Sequence, residues 1–377
     1  MIRYAVTERF VLHVGYSCNE RCEFCYYLQN LIDGSARDWS TEQNKRRISL
    51  AAMYGKKAID ISGGEPTIRN DLSELIAFCV YKGFHTINII TNGLKTAKQA
   101  YCKTLKEAGL TEGLFSLHSH DSEIHDSLTN VKGSHAKLIK SLENFAELGL
   151  KQRINTVIMN ENYNHINEFF EFIYPYNPAA VNLLVFNPAQ TADKLPKHSR
   201  IRFSDYSLIG NAISDALDNW KDRLNIVNVR FLPFCFLKKH LDCIRTIGQK
   251  FHEDQEWDPF LHIAFEKGYH LAVAATIAGF FTKWNTPKYK TENIQTTIGK
   301  HASVFRMKYY YRQNEKCKEC SLSPICPGVH RDFVAKFGFP DFAPFLFENK
   351  IYDPLYYVKG YKNVFKCLRK GTQAWNW

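Results

Sequence analysis

Residues 10–25 read FVLHVGYSCNERCEFC, a short apolar run followed at once by three cysteines. Cys18, Cys22 and Cys25 are separated by three and then two residues, so one loop carries three thiols close together. In a chain of 377 residues with 11 cysteines, chance would give this triplet on the order of once in a hundred sequences. The spacing of these cysteines is therefore informative.

Two kinds of metal site fit three thiols in a loop. A structural zinc site normally takes four protein ligands in a closed arrangement. A three-thiolate centre leaves one position open to a group that reacts. Spacing alone leaves both open, together with a pair or trio of buried thiols.

The remaining composition favours a large cytoplasmic protein. Hydrophobic residues make up 45% of the chain, enough for a full core, and the net charge of +11 is scattered rather than gathered into runs. The longest apolar stretch, Leu271–Phe281, has about half of the roughly 20 residues that span a membrane, and Met1–Phe10 carries charges instead of a signal peptide. We therefore predict a cytoplasmic location, no membrane partner and reduced cysteines available to a metal or cluster.

Residues 10–187 alternate short β-branched runs with longer segments of helical period, a pattern typical of β-α units around a parallel sheet. The predicted strands are Phe10–Val14, Lys57–Ile61, Thr86–Ile90, Gly113–Leu117, Ile154–Ile158 and Val181–Phe186, with one more near Asn225–Phe231. The predicted helices are Thr41–Tyr54, Leu72–Tyr81, Ala97–Ala108, His135–Leu148, Ile166–Tyr174 and Asp205–Trp220. Right-handed crossovers curl such a sheet, so the predicted fold class is α/β, a partial (β/α)6 TIM-type barrel.

The active site of a β-α barrel collects at the carboxyl ends of its strands, and here those ends carry polar residues. The second strand runs into Ser62-Gly63-Gly64-Glu65-Pro66, where glycine lets the backbone approach a ligand and proline fixes the exit. An ordinary strand-to-helix turn does not require the carboxylate of Glu65. The other polar residues near strand ends are Thr91, Asn92, Ser116, His118 and Asn155, each of which alone fits a simple hydrogen-bond partner equally well.

Taken together, these features resemble the radical SAM superfamily. The resemblance rests on the three-cysteine loop after the first strand, on Phe24 before the last cysteine, and on the Gly-Gly-Glu turn after the second strand. It implies that Cys18, Cys22 and Cys25 bind three irons of a [4Fe–4S] cluster, and that S-adenosylmethionine occupies the fourth iron. This barrel would be the radical SAM core.

The same resemblance assigns residues to the cosubstrate. Gly63, Gly64 and Glu65 would meet its ammonium group, to which a carboxylate is suited. The other implied contacts, to adenine, ribose and carboxylate, are Phe24, Thr91, Asn92, Ser116, His118, Asn155 and Val185 with Phe186. Many family members carry an arginine about a dozen residues after the strand-four serine, where this chain has Leu128. Lys132 and Arg153 are two candidates to replace it, and the sequence does not choose between them.

A second group of cysteines lies near the carboxyl end. Cys317, Cys320 and Cys326 are separated by two and five residues, a spacing that alone also fits a zinc knuckle. Beside the first motif, this group resembles the SPASM and twitch extensions of radical SAM enzymes, which bind auxiliary iron–sulfur clusters. The family's next cysteine is replaced here by His330 and its upstream pair is reduced to Cys235, so the resemblance implies one auxiliary [4Fe–4S] cluster.

The fourth ligand of this auxiliary cluster is left open by the sequence. Cys235 is the first choice, Cys367 the second and His330 the third, and a substrate bound to an open iron is the remaining alternative. Cys79 and Cys102 fall within predicted helices and are expected to be buried core thiols, since free cysteine is commonly buried.

The predicted domains follow the change in composition. Residues 1–231 would form the barrel with the cluster and S-adenosylmethionine site. Residues 232–335, richer in aromatics and cysteines, would form the SPASM/twitch-like auxiliary cluster domain, and residues 336–377 an aromatic and basic tail of no assigned role. Asp258, Pro259 and Tyr309–Arg312 are candidate substrate contacts that fit a small aromatic core equally well.

The resemblance implies an enzyme that reductively cleaves S-adenosylmethionine to a 5′-deoxyadenosyl radical. This radical would take hydrogen from a peptide or small-metabolite substrate, giving oxidation, crosslinking or epimerisation, with electrons from a flavodoxin- or ferredoxin-type donor. No leader-peptide-binding domain precedes the barrel, which favours a metabolite or a peptide recognised without one. The alternatives are a radical SAM enzyme that modifies tRNA or another nucleic acid, and a non-catalytic iron–sulfur redox protein.

Overall fold

The computed structural model describes residues 9–25, 27–186, 205–246, 261, 264–265, 268–281, 307–354 and 356–357. Within these ranges a single sheet holds seven parallel strands in sequence order. The strands are β1 (Arg9–His13), β2 (Ala58–Ser62), β3 (Thr86–Thr91), β4 (Glu112–Ser116), β5 (Lys151–Ile158), β6 (Ala180–Val185) and β7 (Val227–Arg230). The sheet curls into a half-barrel with helices on its outer side, the arrangement of a partial TIM-type barrel.

Helices connect the strands in the pattern of repeated β-α units. They are α1 (Leu28–Ile32), α2 (Thr41–Met53), α3 (Leu72–Tyr81), α4 (Gln99–Glu107), α5 (Ser122–Thr129), α6 (Ser134–Glu147), α7 (Ile166–Ile173) and α8 (Tyr206–Trp220). Three further helices are Tyr269–Phe281, Lys316–Glu319 and Arg331–Phe337, and β8 (Tyr311–Arg312) pairs antiparallel with β9 (Val329–His330). None of the helices in the described ranges has the length and apolar character needed to cross a bilayer.

The predicted barrel is confirmed, with β7 added to the six strands of the predicted (β/α)6 unit. Each predicted strand is present within three residues of its predicted bounds, and α3 spans the predicted range. α5 was missed by the sequence analysis, because its eight residues carry only Ile124 and Leu128 as large apolar side chains.

Alternation along the strands separates an apolar outer face from a polar inner face. Outer side chains such as Ile59, Phe115 and Val181 belong to one hydrophobic core that extends to Phe342. Cys79 and Cys102 are fully buried in that core, as predicted. The inner face carries polar side chains such as Asp60, Asn88 and Asn182 among apolar ones, which is unusual for a sheet that only has to fold.

The edge of the sheet at β7 is partly covered by the chain that follows it. Ile244 forms a parallel bridge with Val229, and the Arg245 amide donates to the Val229 carbonyl at 2.8 Å. Between them, Phe231 ends the strand with a positive φ of 64°, a conformation that is rare for a bulky residue. The chain therefore turns sharply out of the barrel and returns along its edge.

Candidate functional site

The cysteine loop leaves β1 and packs first against the turn after β2. The Gly64 amide donates to the Gly15 carbonyl at 2.9 Å, and the Glu65 amide donates to the Ser17 carbonyl at 2.9 Å. A Cβ on Gly63 would lie 2.0 Å from the Gly15 oxygen, and one on Gly64 would lie 2.2 Å from the Ser17 oxygen. The two glycines are therefore needed to admit the backbone of the cysteine loop itself.

The other side of the loop rests on the carboxyl end of α5. The Arg21 amide donates to the Thr129 carbonyl at 3.1 Å, and the Glu23 amide donates to the Leu128 carbonyl at 3.1 Å. Asn130, which caps α5 in the left-handed conformation with φ 56°, donates from its side chain to the Arg21 carbonyl at 2.8 Å. The loop is thus held from both sides by hydrogen bonds to its main chain.

The three thiols of this loop are partly buried, and the Arg21 guanidinium acts as a nearby positive charge on Cys25. Burial raises the pKa of the Cys18 thiol to about 12, and it raises the pKa of Cys22 and Cys25 as well. A metal centre supplies the positive charge that such thiols need in order to ionise, and a coordinating thiol is deprotonated. The donor set therefore fits a metal or cluster site.

The arrangement of the thiols bears on the kind of metal site. Among the described residues, no three His, Cys, Asp or Glu side chains converge as ligands of a single metal ion. A four-iron cluster places each thiolate on a different iron, so its ligands do not have to meet at one point.

Glu65 ties the turn after β2 to the end of β3. Its carboxylate is only 3% exposed, and Oε1 accepts from the Thr67 amide at 3.0 Å, the Thr67 hydroxyl at 2.5 Å and the Thr91 hydroxyl at 2.7 Å. Oε2 accepts from the Asn92 amide at 2.7 Å. Burial raises the pKa of Glu65 while these hydrogen bonds oppose it. Because Oε2 has one donor, it retains capacity for a further donor such as an ammonium group.

Glu20 is a site residue that the sequence analysis missed. It lies between the first two cysteines, is 3% exposed, and its Oε2 accepts from the Cys22 thiol at 3.3 Å. Its Oε1 is buried with no hydrogen-bond partner among the described residues. Burial raises the pKa of Glu20 to about 8, while the hydrogen bond from the Cys22 thiol opposes this shift. Its position between two cysteines of the loop is visible in the sequence, but its burial against the Cys22 thiol is not.

Phe24 and His118 meet at the mouth of the barrel. Their ring centroids are 4.7 Å apart in an edge-to-face arrangement. His118 Nδ1 accepts from the Val157 amide at 3.2 Å, so the neutral ring carries its proton on Nε2. Burial lowers the pKa of His118 well below its usual value, which keeps the ring neutral. Phe24 also packs against a small apolar cluster of Leu128, Met159 and Phe186.

Ser116 and Asn155 lie directly opposite each other on β4 and β5, on the inner face. Asn155 is followed in the same row by Asn182 on β6 and Asn228 on β7, neither of which the sequence analysis singled out. Val185 is not brought into this group, because it lies with the core residues on the outer face of β6.

The two candidate replacements for the missing arginine are placed differently. Arg153 is buried below the mouth, where its Nη2 lies 3.5 Å from Asp60 and 3.3 Å from Glu112, and Arg9 pairs with the same Asp60. Arg153 is thus engaged by two carboxylates of the barrel interior. Lys132 is exposed on the loop between α5 and α6.

The second group of cysteines surrounds one cavity. Cys235, Cys317, Cys320 and Cys326 all line it, together with apolar side chains such as Phe234 and Leu322. Burial raises the pKa of the Cys235 thiol to about 12 and also raises the pKa of Cys317 and Cys326. These desolvated thiols fit a metal or cluster site for the same reason as those of the first loop.

Among the described residues, the candidate fourth ligand His330 does not line this cavity. His330 is buried between the rings of Tyr310 and Tyr311, and its Nδ1 accepts from the Asp332 amide at 3.3 Å as the cap of the helix Arg331–Phe337. Cys367 lies outside the described residues. Of the three alternatives, the structure brings Cys235 to the other thiols.

The candidate substrate contacts divide in the same way. Asp258 and Pro259 lie outside the described residues. Tyr311 is buried, while Tyr309 and Tyr310 are exposed beside the Arg331 guanidinium, which lies 4.3 Å from the Tyr309 ring centroid. Arg312 donates to main-chain carbonyls of its own turn.

Comparison with known proteins agrees with this geometry. Residues 12–173 match the model of the radical SAM superfamily. The probable GTP 3′,8-cyclase of Sulfolobus acidocaldarius is 30% identical over 182 residues, which cover 48% of this chain and 56% of that protein. The PqqA peptide cyclase of Rhodopseudomonas palustris is 30% identical over 168 residues, 45% of this chain and 44% of that protein. The match thus spans about half the length of these relatives.

A solved structure extends the likeness of the fold beyond the matched region. Streptococcus suis SuiB bound to precursor peptide SuiA has a TM-score of 0.57 at 19% identity, covering 90% of this chain and 75% of that chain. At this level of identity the likeness concerns the fold alone.

Proposed function

We propose that this chain, whose residues 12–173 belong to the radical SAM superfamily, cleaves S-adenosylmethionine reductively and takes a hydrogen atom from a peptide or small-molecule substrate. The observation that carries the proposal is the cysteine loop, which is held between the Gly-Gly-Glu turn and the end of α5. The hydrogen bonds to its main chain leave its three thiols for ligation. We also propose that the enzyme works in the cytoplasm.

In this proposal Cys18, Cys22 and Cys25 bind three irons of a [4Fe–4S] cluster. The cluster and S-adenosylmethionine, when bound, supply a 5′-deoxyadenosyl radical, and the protein supplies orientation and exclusion of water. Glu65 binds the ammonium group of S-adenosylmethionine through Oε2. Thr91 and Asn92 hold the Glu65 carboxylate in place by donating hydrogen bonds to it. Gly63 and Gly64 keep the loop and the turn together.

The mouth of the barrel holds the rest of the cosubstrate. Phe24 and Phe186, which contact the same apolar cluster, flank the adenine. His118 offers a proton on Nε2, and Ser116 and Asn155 offer hydrogen bonds to the carboxylate or ribose. These roles follow from the inner-face positions of the side chains and from the resemblance.

The second group of cysteines binds an auxiliary [4Fe–4S] cluster in this proposal. Cys235, Cys317, Cys320 and Cys326 supply four thiolates, the number that such a cluster takes when the protein alone holds it. A substrate bound directly to iron is then unnecessary, and the cluster carries an electron to or from the substrate radical. Residues 232–335 form the corresponding domain, with residues 336–377 after it, and a flavodoxin- or ferredoxin-type protein is the proposed electron donor.

The substrate class rests on the relatives. One similar protein is a peptide cyclase and the similar SuiB structure contains a precursor peptide, which support a peptide. Another relative is a probable GTP cyclase, which supports a small molecule.

Anaerobic incubation with S-adenosylmethionine and dithionite tests the proposal. Protein purified without oxygen should contain iron and acid-labile sulfide and release 5′-deoxyadenosine, measured by chromatography. Cys22→Ala should abolish this release, Cys320→Ala should retain part of it, and Cys79→Ala, a core thiol, should serve as the matched control. Iron-loaded protein that releases no 5′-deoxyadenosine would instead be a non-catalytic iron–sulfur redox protein.

A further inference from the structure

Three asparagines form a row across the inner face of the barrel. Asn155 on β5 pairs in register with Asn182 on β6, which pairs with Asn228 on β7. Asn182 is 6% exposed, and the other two are half-buried. Ser116 on β4 precedes Asn155 in the same row, so the row begins at the mouth residues described above.

The amides of this row are hydrogen-bonded in one direction. Asn228 Nδ2 donates to Asn182 Oδ1 at 2.9 Å, and Asn182 Nδ2 donates to Asn155 Oδ1 at 2.7 Å. Within the described residues, the Asn155 Nδ2 group has no acceptor. Since the Asn155 oxygen is occupied, the amide of Asn155 offers donors at the end of the row that faces β4.

We propose that Asn182 and Asn228 are positioning residues that hold Asn155 as a hydrogen-bond donor toward an acceptor oxygen of the cosubstrate. The inference rests on the proposed function, which places S-adenosylmethionine at this mouth. The acceptor oxygen belongs to the carboxylate or to the ribose, two sources with the same hydrogen-bond chemistry.

The physical basis is the two-fold ambiguity of an asparagine amide. A free amide turns its oxygen or its nitrogen toward a ligand with similar ease, because the torsion that carries it is broad. The hydrogen bond that Asn182 donates to the Asn155 oxygen fixes the orientation of the Asn155 amide. The hydrogen bond that Asn228 donates to Asn182 strengthens the first one, since hydrogen bonds in a chain polarise one another. Asn155 is then preorganised for an acceptor and unsuited to a donor.

The decisive variant is Asn182→Asp in the cluster-loaded enzyme. A carboxylate at this position still accepts from Asn228 but cannot donate to Asn155, so the Asn155 amide nitrogen turns toward it and the Asn155 oxygen turns toward the cosubstrate. We expect the affinity for S-adenosylmethionine, measured by calorimetry, to fall about tenfold, at least as much as in Asn155→Ala. Asn182→Leu, which adds no charge, should weaken binding roughly fivefold, and Asn228→Leu less.

A double variant separates positioning from general damage. Asn155→Ala combined with Asn182→Leu should bind no more weakly than Asn155→Ala alone, because the positioning has nothing left to act on. Asn88→Ala is the matched control, because Asn88 is an inner-face asparagine that donates to Asp60 at 3.0 Å outside the row. It should leave the affinity for S-adenosylmethionine unchanged.

Decarboxylated S-adenosylmethionine distinguishes the two acceptors. If the carboxylate is the partner, Asn182→Leu should not weaken binding of this analogue, whereas a ribose partner predicts the same loss as with the intact molecule. The inference is overturned if Asn182→Leu and Asn182→Asp, with native iron content and circular dichroism, bind S-adenosylmethionine within twofold of the wild type. Failure of the proposed function is distinct, since it requires that the iron-loaded wild type releases no 5′-deoxyadenosine.

Discussion

Gly64 lies where the turn after the second strand approaches the main chain of the cysteine loop closely. A Cβ there would meet the carbonyl oxygens of Ser17 at 2.2 Å and Tyr16 at 2.5 Å, and main-chain atoms cannot move aside as a flexible side chain can. Gly64→Ala should therefore lower the free energy of unfolding by about 1–3 kcal/mol, as overpacking does, and reduce the iron bound per chain. Urea unfolding and an iron assay measure the two effects.

Gly55→Ala is the control for this change. Gly55 has a φ of 77° and nothing within 4 Å of its would-be Cβ, so the substitution costs only the left-handed backbone, about 1 kcal/mol, without an effect on iron. Equal iron content in the two variants would show that the close contact at Gly64 does not organise the loop.

His125 makes the free energy of unfolding depend on pH in the acid range. Its Nδ1 accepts from the His118 amide at 3.2 Å, and burial lowers the pKa of His125 to about 3. Below pH 6.5 the unfolded chain binds a proton at this histidine while the folded chain does not, so the free energy of unfolding falls as the pH falls toward 3. The loss is about 1 kcal/mol per pH unit between pH 6 and 5.

His125→Asn tests this dependence, because the asparagine oxygen can accept from the same amide without taking up a proton. Its free energy of unfolding should fall less steeply than that of the wild type between pH 6.5 and 5, by about 1 kcal/mol per pH unit. Urea titrations at four pH values measure the slopes, and parallel slopes for the two proteins would rule out a neutral buried His125.

The two buried carboxyl groups of the site, Glu65 and Glu20, differ in how far their roles could be predicted from the sequence. Glu65 could be identified because it follows two glycines at a strand end. Glu20 could not be assessed from its neighbours alone, because its partnering depends on how the loop folds over its own thiols. The amide partners Asn182 and Asn228 were equally hidden, since their roles follow from strand register.

At the scale of elements, α5 decides how the cysteine loop is seated. Asp121 caps its amino end by accepting from the Glu123 and Ile124 amides, and Asn130 ends it in the left-handed conformation. The last carbonyls of α5 receive the loop, and the contact from Asn130 to Arg21 joins residues 109 positions apart. This helix of eight residues thus holds the cysteine loop in place.

Asn130 separates two contributions to this support. Asn130→Ala loses the hydrogen bond to Arg21 and places a side chain in the left-handed region, so it should cost about 2 kcal/mol of unfolding free energy. Asn130→Gly loses the same hydrogen bond but tolerates the backbone, and should cost about 1 kcal/mol. Both should retain less iron than the wild type. If the two variants unfold at the same urea concentration, the backbone conformation contributes nothing.

The strands and long helices were predictable because their apolar residues repeat with a clear period. α5 was not, since tertiary contacts rather than an apolar face hold it. Leu128 illustrates this difference, because in the sequence it was notable only for standing where many family members carry an arginine. In the structure its side chain is buried beside Met159 and Phe186, and its carbonyl supports the loop.

At the scale of the molecule, the second group of cysteines lies at the same hydrophobic core as the barrel. Cys320 belongs to the hydrophobic core that contains β1 to β7, and Cys235, Cys317 and Cys326 pack against it. The spacing of the second group was visible in the sequence, but its meeting with Cys235 was not, because more than 80 residues separate Cys235 from Cys317.

Removal of each set of thiolates should loosen a different region. Cys326→Ala should increase amide hydrogen exchange in residues 307–354, because the proposed auxiliary cluster would no longer crosslink them to Cys235, and should leave β1–β5 protected. Cys22→Ala should do the reverse, exposing the cysteine loop and the end of α5. Exchange read by mass spectrometry on anaerobic protein checks both, and identical patterns would contradict two separate centres.

The return of the chain along β7 affects how a peptide segment can be recognised at this edge of the sheet. Main-chain groups on the last strand of an open sheet can extend the sheet by pairing with an incoming segment. At Val229 that partner is already the chain's own Ile244–Arg245 stretch. A peptide segment that approaches this edge cannot pair as an additional strand at Val229. Its recognition there depends on contacts with side chains, and therefore on the side chains that the segment itself carries.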